Sequence, residues 1–294
     1  MRNAAAMPFA GHELDFCEEE RSDEQLADAK SDPAARCYIF HQGEPAFNNH
    51  GDAFHCHPRY IPADSLVFIG RDMRGPLFAA TVPQENPWTP PAQFDNLRNQ
   101  AAHIASSELA ALGRAKSLID FHDTYGFCSK CGQPSHAIKG GLARDCPSCG
   151  HHMFPPIFPV VIVLITQGDD CLLVAGHNFP DGFFSNPAGF MSPGETPEET
   201  VRREMKEELG VSLKNITYLF SQPWPFPAQL MMGFKAEART RDFTPDPHEI
   251  REAKWVSKED VIRAYRGDMS HFIFPPRFTI AHHILHDWID SNPD

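Results

Sequence analysis

Basic residues are scarce in this chain of 294 residues: Lys and Arg number 26 against 39 Asp and Glu, a formal net charge of −13. That balance excludes a protein whose partners are held by a broad electropositive face, whether nucleic acid or an anionic membrane. Long hydrophobic runs are lacking too. No apolar stretch approaches the roughly 20 residues that a bilayer-spanning helix needs. Met1 to Ala10 has neither a basic segment followed by a long apolar one nor an Arg-rich amphipathic pattern. A cytoplasmic protein without membrane contact is the expectation. No internal repeat or low-complexity tract stands out, apart from an acidic segment: residues 13–32 hold nine acids and two bases.

What is present begins with eight cysteines in two classes. Cys17, Cys37, Cys56 and Cys171 are scattered. Cys128-Ser-Lys-Cys131 and Cys146-Pro-Ser-Cys149 are two Cys-x-x-Cys pairs fourteen residues apart, with Gly132, Gly140, Gly141 and Gly150 where knuckle turns need them. Four thiolates so spaced can close a tetrahedral zinc site with no open coordination position, which stabilises a fold and performs no chemistry. A redox pair or a nucleic-acid reader is the alternative. Only Lys130, Lys139 and Arg144 supply positive charge nearby, which favours the structural reading.

Ahead of the cysteines, short apolar runs (34–40, 65–69, 76–82) alternate with Gly, Pro and Asn/Asp turns and predict a small strand-rich domain. Pro83, Pro87, Pro90 and Pro91 mark a linker, and a stripe of Leu97, Ile104, Leu109, Leu112, Leu118 and Ile119 predicts one helix from about Phe94 to Phe121. After the cysteines, Val160 to Thr166 and Cys171 to Val174 read as a hairpin that opens an α/β domain. The expected boundaries are 1–91, a connecting helix over 92–122, a zinc ribbon over 123–156 and a catalytic domain over 157–294.

The most informative stretch runs from Gly189 to Val211. Thr196 as N-cap, Pro197 at the first helical position, Glu199 completing a capping box and Gly210 at the C-terminal end predict a helix over 197–209. Glu204, Glu207 and Glu208 then fall at i, i+3 and i+4, on one face within about 5–6 Å. Six acids against three bases over 195–208 is a self-repelling arrangement. It is either a solvated acidic surface compensated by Arg203 and Lys206, or a face for a hard divalent cation and a phosphate-bearing substrate.

The whole string decides between these. Gly189, five residues, Glu195, seven residues, Arg203-Glu204, an apolar residue, one residue, Glu207-Glu208, one residue, Gly210 and an apolar residue resembles the Nudix box at every specified position. Downstream, Ser221-Gln222-Pro223-Trp224-Pro225-Phe226-Pro227-Ala228-Gln229-Leu230-Met231 is similar to a loop of the NADH pyrophosphatase subfamily, which also carries a zinc ribbon before its catalytic domain. Taken alone, that loop is either a rigid structural turn or an aromatic wall for a planar base.

The resemblance implies an α/β/α sandwich with a mixed sheet, preceded by the ribbon and the small N-terminal domain. It implies hydrolysis of the diphosphate of NADH or NAD⁺ to nicotinamide mononucleotide and AMP, with Mg²⁺ or Mn²⁺ as catalytic cofactor and Zn²⁺ as structural one. Arg203 would pair with Glu195 to fix the loop; Glu204, Glu207, Glu208, the outlying Glu249 and the carbonyl of Ala188 would bind the cation. Phe190 and Phe154 would stack on the nicotinamide. Gln222, Pro223, Trp224, Pro225, Phe226, Pro227, Ala228, Gln229, Met231 and Ala281 would line the substrate. A homodimer is implied, formed with help from the N-terminal domain. Two departures from the pattern, Gln229 for a usual serine and Phe154 for a common tyrosine, leave substrate preference open.

Other readings therefore stay in view: removal of an NAD cap from RNA, hydrolysis of another dinucleotide, or a non-catalytic nucleotide-binding scaffold, against which the complete set of carboxylates speaks. His55 and His57, on one face of a strand, are discounted as a metal pair because no carboxylate or further ligand is near in sequence, and His282 and His286, one helical turn apart, in favour of exposed or capping histidines. Ser257 and Asp260 predict a capped helix over about 257–266 with no chemistry.

Overall fold

The computed structural model describes residues 7–11, 14–82 and 92–291. The prolines expected to form a linker, Pro83, Pro87, Pro90 and Pro91, lie outside the described residues. The chain divides into two compact units, one of residues 8–157 together with Pro223–Ala228, the other of Phe158–Gln222 and Gln229 onward.

In the first unit, α1 (Asp23–Ser31) starts from a reciprocal capping box between Ser22 and Gln25. Strands β1 (Arg36–His41), β2 (Glu44–Phe47), β3 (His55–Cys56), β4 (Leu66–Asp72), β5 (Gly75–Thr81) and β6 (Gln93–Phe94) form one sheet in the order β4-β5-β1-β2-β6, with β3 also paired to β1. Central β1 runs parallel to β5 and is buried from Arg36 to Phe40, as a strand covered on both faces must be.

The single helix expected over 94–121 is two: α2 (Leu97–Gln100), capped by Asn96, and α3 (Ser106–Thr124). In one continuous helix Leu97 would stand about 120° around the axis from Leu109, so the two could not share a buried stripe. The chain breaks at 101–105, and α3 then buries Leu109, Leu112, Ala115, Leu118 and Ile119. A three-stranded antiparallel ribbon follows, β7 (His136–Ile138), β8 (Ala143–Asp145) and β9 (His152–Met153). Its Cys128, Cys146 and Met153 pack on Phe121 of α3.

The second unit contains β10 (Phe158–Gln167), β11 (Asp170–Gly176), β12 (Ala188–Phe190), α4 (Pro197–Leu209), β13 (Leu213–Trp224), β14 (Gln229–Ala238), β15 (Ile250–Ser257), α5 (Lys258–Tyr265) and α6 (Ile280–Asp290). Its sheet has the order β13-β14-β10-β11-β15 with β12 on β10. The β10–β14 pair is parallel, while the β10–β11, β10–β12 and β11–β15 pairs are antiparallel, so the sheet is mixed. On one face Val201, Met205 and Leu209 of α4 pack against Val161, Val163 and Ile165 of β10. Full burial of each of these side chains stabilises by about 1.5–3 kcal/mol. On the other lies α6: a Cβ built on Gly233 of β14 would come within 3.1 Å of Ile284 Cδ1.

The two sheets share one topology, strand for strand, β1 to β6 corresponding to β10 to β15. The sequence showed no repeat because the common element is a pattern of burial and pairing, which many residues satisfy. The copies differ where α4 sits. Between β3 and β4 the chain makes only the short 3-10 turns Pro58–Tyr60 and Ala63–Ser65.

Candidate active site

The cap residues place α4 as the sequence predicts. Thr196 accepts from the N–H of Glu199, the Glu199 carboxylate accepts from the N–H of Thr196, and Gly210 ends the helix at φ +69°. The first turn thus fixes where Arg203 and the three glutamates emerge.

Arg203 grips Glu195 with a two-point fork, Nε to Oε1 at 2.5 Å and Nη2 to Oε2 at 2.8 Å. Nη2 also donates to the carbonyl of Phe190 at 2.9 Å. The Glu195 carboxylate accepts further from the Ser192 N–H (3.0 Å) and the Thr200 hydroxyl (2.9 Å). The Arg203 fork, then the Ser192 bond, hold its carboxyl down to about 2. Fully buried Thr200 was not anticipated; the only sequence signal for it is its place five residues after Glu195.

The remaining carboxylates split. Arg203 Nη1 reaches Glu204 at 2.9 Å and Glu207 at 3.0 Å, so in this state one guanidinium engages two expected cation ligands as well as Glu195. Glu207 is largely exposed, Glu204 and Glu208 are buried. Burial first, and then the charges of Glu204 and Glu249, push the Glu208 carboxyl up to about 8. Burial likewise raises Glu204, against the pull of Arg203. A buried carboxyl group that faces two others favours its protonated form until a cation offsets their charge. Among the described residues the only group of three or more candidate ligands whose donor atoms all lie within 4.8 Å of one another is the four cysteines. The glutamates are neighbours that have yet to converge.

Gly189 explains how Glu204 fits. A Cβ there would stand 2.1 Å from Glu204 Cδ, an impossible approach, so only glycine lets the carboxylate lie against β12. The β10–β12 register places Val163 opposite Pro187, Val161 opposite Gly189 and Pro159 opposite Met191, and the bonds from the Val163 N–H to the Pro187 carbonyl and from the Met191 N–H to the Pro159 carbonyl mark these as the hydrogen-bonded pairs. Ala188 and Phe190 fall between them, so their carbonyls point away from β10. That of Phe190 meets Arg203, and that of Ala188 lies on the same open edge.

Of the expected substrate contacts, Phe190 and Met231 flank Val160 across three strands, on the sheet face that α6 covers; Phe190 is more than half exposed. Ala281 of α6 is buried. Phe154 is exposed on the first unit. Gln222 is fully buried, and its amide donates to the carbonyl of Phe278 at 2.9 Å. Trp224 and Phe226 pack edge to face at 5.1 Å and both abut the buried Phe9 at 5.8 and 5.9 Å, with Arg98 over the indole at 5.6 Å. Pro225 is buried, while Pro223 and Pro227 are exposed and Ala228 and Gln229 half-buried. Both rings thus also serve as packing within the first unit.

In the ribbon, Cys128 and Cys149 stand 3.7 Å apart and Cys131 and Cys146 3.5 Å, so four sulfurs converge. Burial opposes ionisation of Cys128, but the N–H groups of Lys130 and Cys131 overcome it and bring the thiol to about 7, toward the thiolate that zinc requires. His57 caps a turn, off the strand that ends at Cys56. His282, expected to be exposed or capping, is instead buried, with Nδ1 at 2.8 Å from the Pro275 carbonyl, because α6 turns it into a cluster with Tyr265, Phe274 and His286.

Comparison with known proteins agrees with this layout. Residues 156–278 match the NUDIX domain, 123–154 the NADH pyrophosphatase zinc ribbon domain, and 34–120 the NADH pyrophosphatase-like rudimentary NUDIX domain. A protein of Deinococcus radiodurans named NAD-capped RNA hydrolase NudC is 34% identical over 259 residues, 87% of this chain and 88% of that one. Human NAD-capped RNA hydrolase NUDT12 is 38% identical over 202 residues, 65% of this chain and 44% of its own length. Mouse NAD(P)H pyrophosphatase NUDT13, mitochondrial, is 36% identical over 210 residues, 67% of this chain and 60% of its own. Among solved structures, a NUDIX hydrolase from Nitrosomonas europaea covers 45% of this chain and 78% of its own at 25% identity, with a TM-score of 0.40.

Proposed function

The chain belongs to the Nudix hydrolases, in the branch with a rudimentary Nudix domain and a zinc ribbon, and on that premise we propose that it cleaves the diphosphate bond of NADH and NAD⁺ to nicotinamide mononucleotide and AMP. The observation that carries the reading is the carboxyl cluster Glu204, Glu208 and Glu249, with Glu204 against Gly189, beside a loop that Arg203 holds in place.

The donor set is all oxygen, crowded and partly protonated, and suits a hard divalent cation. Glu204, Glu207, Glu208, Glu249 and the Ala188 carbonyl would hold Mg²⁺ or Mn²⁺, which neutralises a diphosphate and acidifies a bound water for in-line attack at phosphorus. The protein's own contributions can be assigned to atoms. Glu208, whose carboxyl is raised by burial and by the charges of Glu204 and Glu249, gives up its proton. The bonds from Arg203 Nη1 to Glu204 and Glu207 loosen, while its fork to Glu195 persists and keeps Phe190 in place. Phe190 presents a flat face for a planar base, in line with Met231.

Removal of an NAD cap from RNA is the second reading, favoured by the names of the Deinococcus and human relatives. It uses the same bond and the same residues. Both readings take the protein as a cytoplasmic homodimer. Product analysis over NADH, NAD⁺, ADP-ribose, a diadenosine polyphosphate and NAD-capped RNA tests them, with the ratio of specificity constants for NADH and capped RNA ranking the two; sedimentation tests the dimer.

A further inference from the structure

Cys17, Cys37, Cys56 and Cys171 stand outside the ribbon, and the proposed hydrolysis uses none of them. Two of these are neighbours. The antiparallel register of β1 and β3 sets Cys37 directly opposite Cys56, with Tyr38 opposite His55. Residues so placed have Cα atoms about 4.5–5.5 Å apart and project to the same face. A disulfide spans Cα separations of about 4.4–6.8 Å without backbone movement. Shared burial supports the common face, since both thiols pack into one apolar core with Ile39, Phe68 and Phe78.

We propose that Cys37 and Cys56 form a site of oxidative modification, at which a hydroperoxide closes a disulfide between β1 and β3. Cys37 is fully buried and Cys56 half-buried, so Cys56 meets the oxidant first. Its sulfur takes the terminal oxygen of hydrogen peroxide, which leaves as water, and becomes a sulfenic acid. The Cys37 sulfur then attacks the Cys56 sulfur; the S–O bond breaks, the Cys37 proton goes to the departing oxygen, and a second water is released. Two thiols lose two electrons, one peroxide gains them, and a dithiol reverses the step. Burial pushes the Cys56 thiol up to about 11 and Cys37 higher, so closure is slow at neutral pH and answers sustained oxidant. The bond ties off the loop from β1 through β2 to β3, which restricts the unfolded chain and stabilises this sheet. Cys17 packs in the same core and is the competing partner.

The test uses the full-length, zinc-bound protein, incubated with hydrogen peroxide, blocked with iodoacetamide and digested without reductant for mass spectrometry. The expected product is a peptide pair joined through Cys37 and Cys56 and lighter by two hydrogens, present in wild type and Cys17→Ser, absent in Cys56→Ser and Cys37→Ala. Oxidised wild type should unfold at a higher temperature than reduced, a gain that Cys56→Ser lacks and dithiothreitol abolishes. Recovery of Cys37 and Cys56 as unlinked peptides, or a link from either to Cys17, overturns the proposal.

Discussion

Arg203 holds Glu195 at two points, 2.5 and 2.8 Å, and the same guanidinium reaches Glu204 and Glu207. One side chain therefore fixes the loop and restrains two of the carboxylates proposed to bind the cation.

Replacing Arg203 with Lys keeps the charge and loses the fork, since an ammonium cannot present two parallel donors. The expected outcome is a fall in kcat for NADH of about 10–100-fold, the usual cost of removing a partner that orients ligands, with a modest fall in thermal midpoint because the largely covered guanidinium loses its fork to Glu195 and its bond to the Phe190 carbonyl. Steady-state kinetics of AMP release and a melting curve check this together.

Gly189→Ala puts a methyl group where Glu204 Cδ stands at 2.1 Å. Either Glu204 or β12 must move, at a cost of about 1–3 kcal/mol. We expect a lower melting temperature and, by calorimetric titration, weaker Mn²⁺ binding. An unchanged Mn²⁺ affinity would show that Glu204 does not need its place against β12.

Glu208 gives a pH dependence with a definite sign. Its folded carboxyl lies at about 8 against an ordinary 4.5, raised by burial and by Glu204 and Glu249. A group raised by folding favours the folded state below its unfolded value, and that contribution is lost as pH climbs through the folded one. Cation-free protein should thus lose stability as pH climbs between about 5 and 8, most steeply in the middle of that window and levelling off above 8. Glu208→Gln should flatten the slope, and Mn²⁺ affinity should rise over the same window as the proton leaves. Melting curves in chelator across this range read both variants.

These carboxylates also mark what could be read from the sequence and what could not. The cap residues Thr196, Glu199 and Gly210 fix α4 by local bonding alone, and the Cys-x-x-Cys pairs fix the ribbon, so both were legible. The partnership of Glu208 with Glu249 was legible only through resemblance, because 40 residues lie between them and tertiary placement before β15 brings their charges together. Trp224 and Phe226 offered flat faces in sequence; that Phe9 packs against both is a property of tertiary structure. The break between α2 and α3 followed the same logic, with tertiary burial overriding an apparent stripe.

Cys146 is buried beside Phe121 and Met153, so its loss should open the ribbon. For Cys146→Ser we expect loss of bound zinc by elemental analysis and a lowered melting temperature, since a structural site contributes folding free energy. Full zinc content in this variant would remove Cys146 from the ligand set.

The most direct measurement is product analysis of NADH incubated with Mg²⁺ or Mn²⁺ and either wild type or Glu207→Gln, whose exposed side chain can be changed without disturbing the core. AMP and reduced nicotinamide mononucleotide should appear in equal amounts with wild type, depend on added cation, and fall by orders of magnitude with the variant. Release of AMP at an unchanged rate by Glu207→Gln, or no cleavage of NADH by wild type at any cation concentration, would refute the assignment.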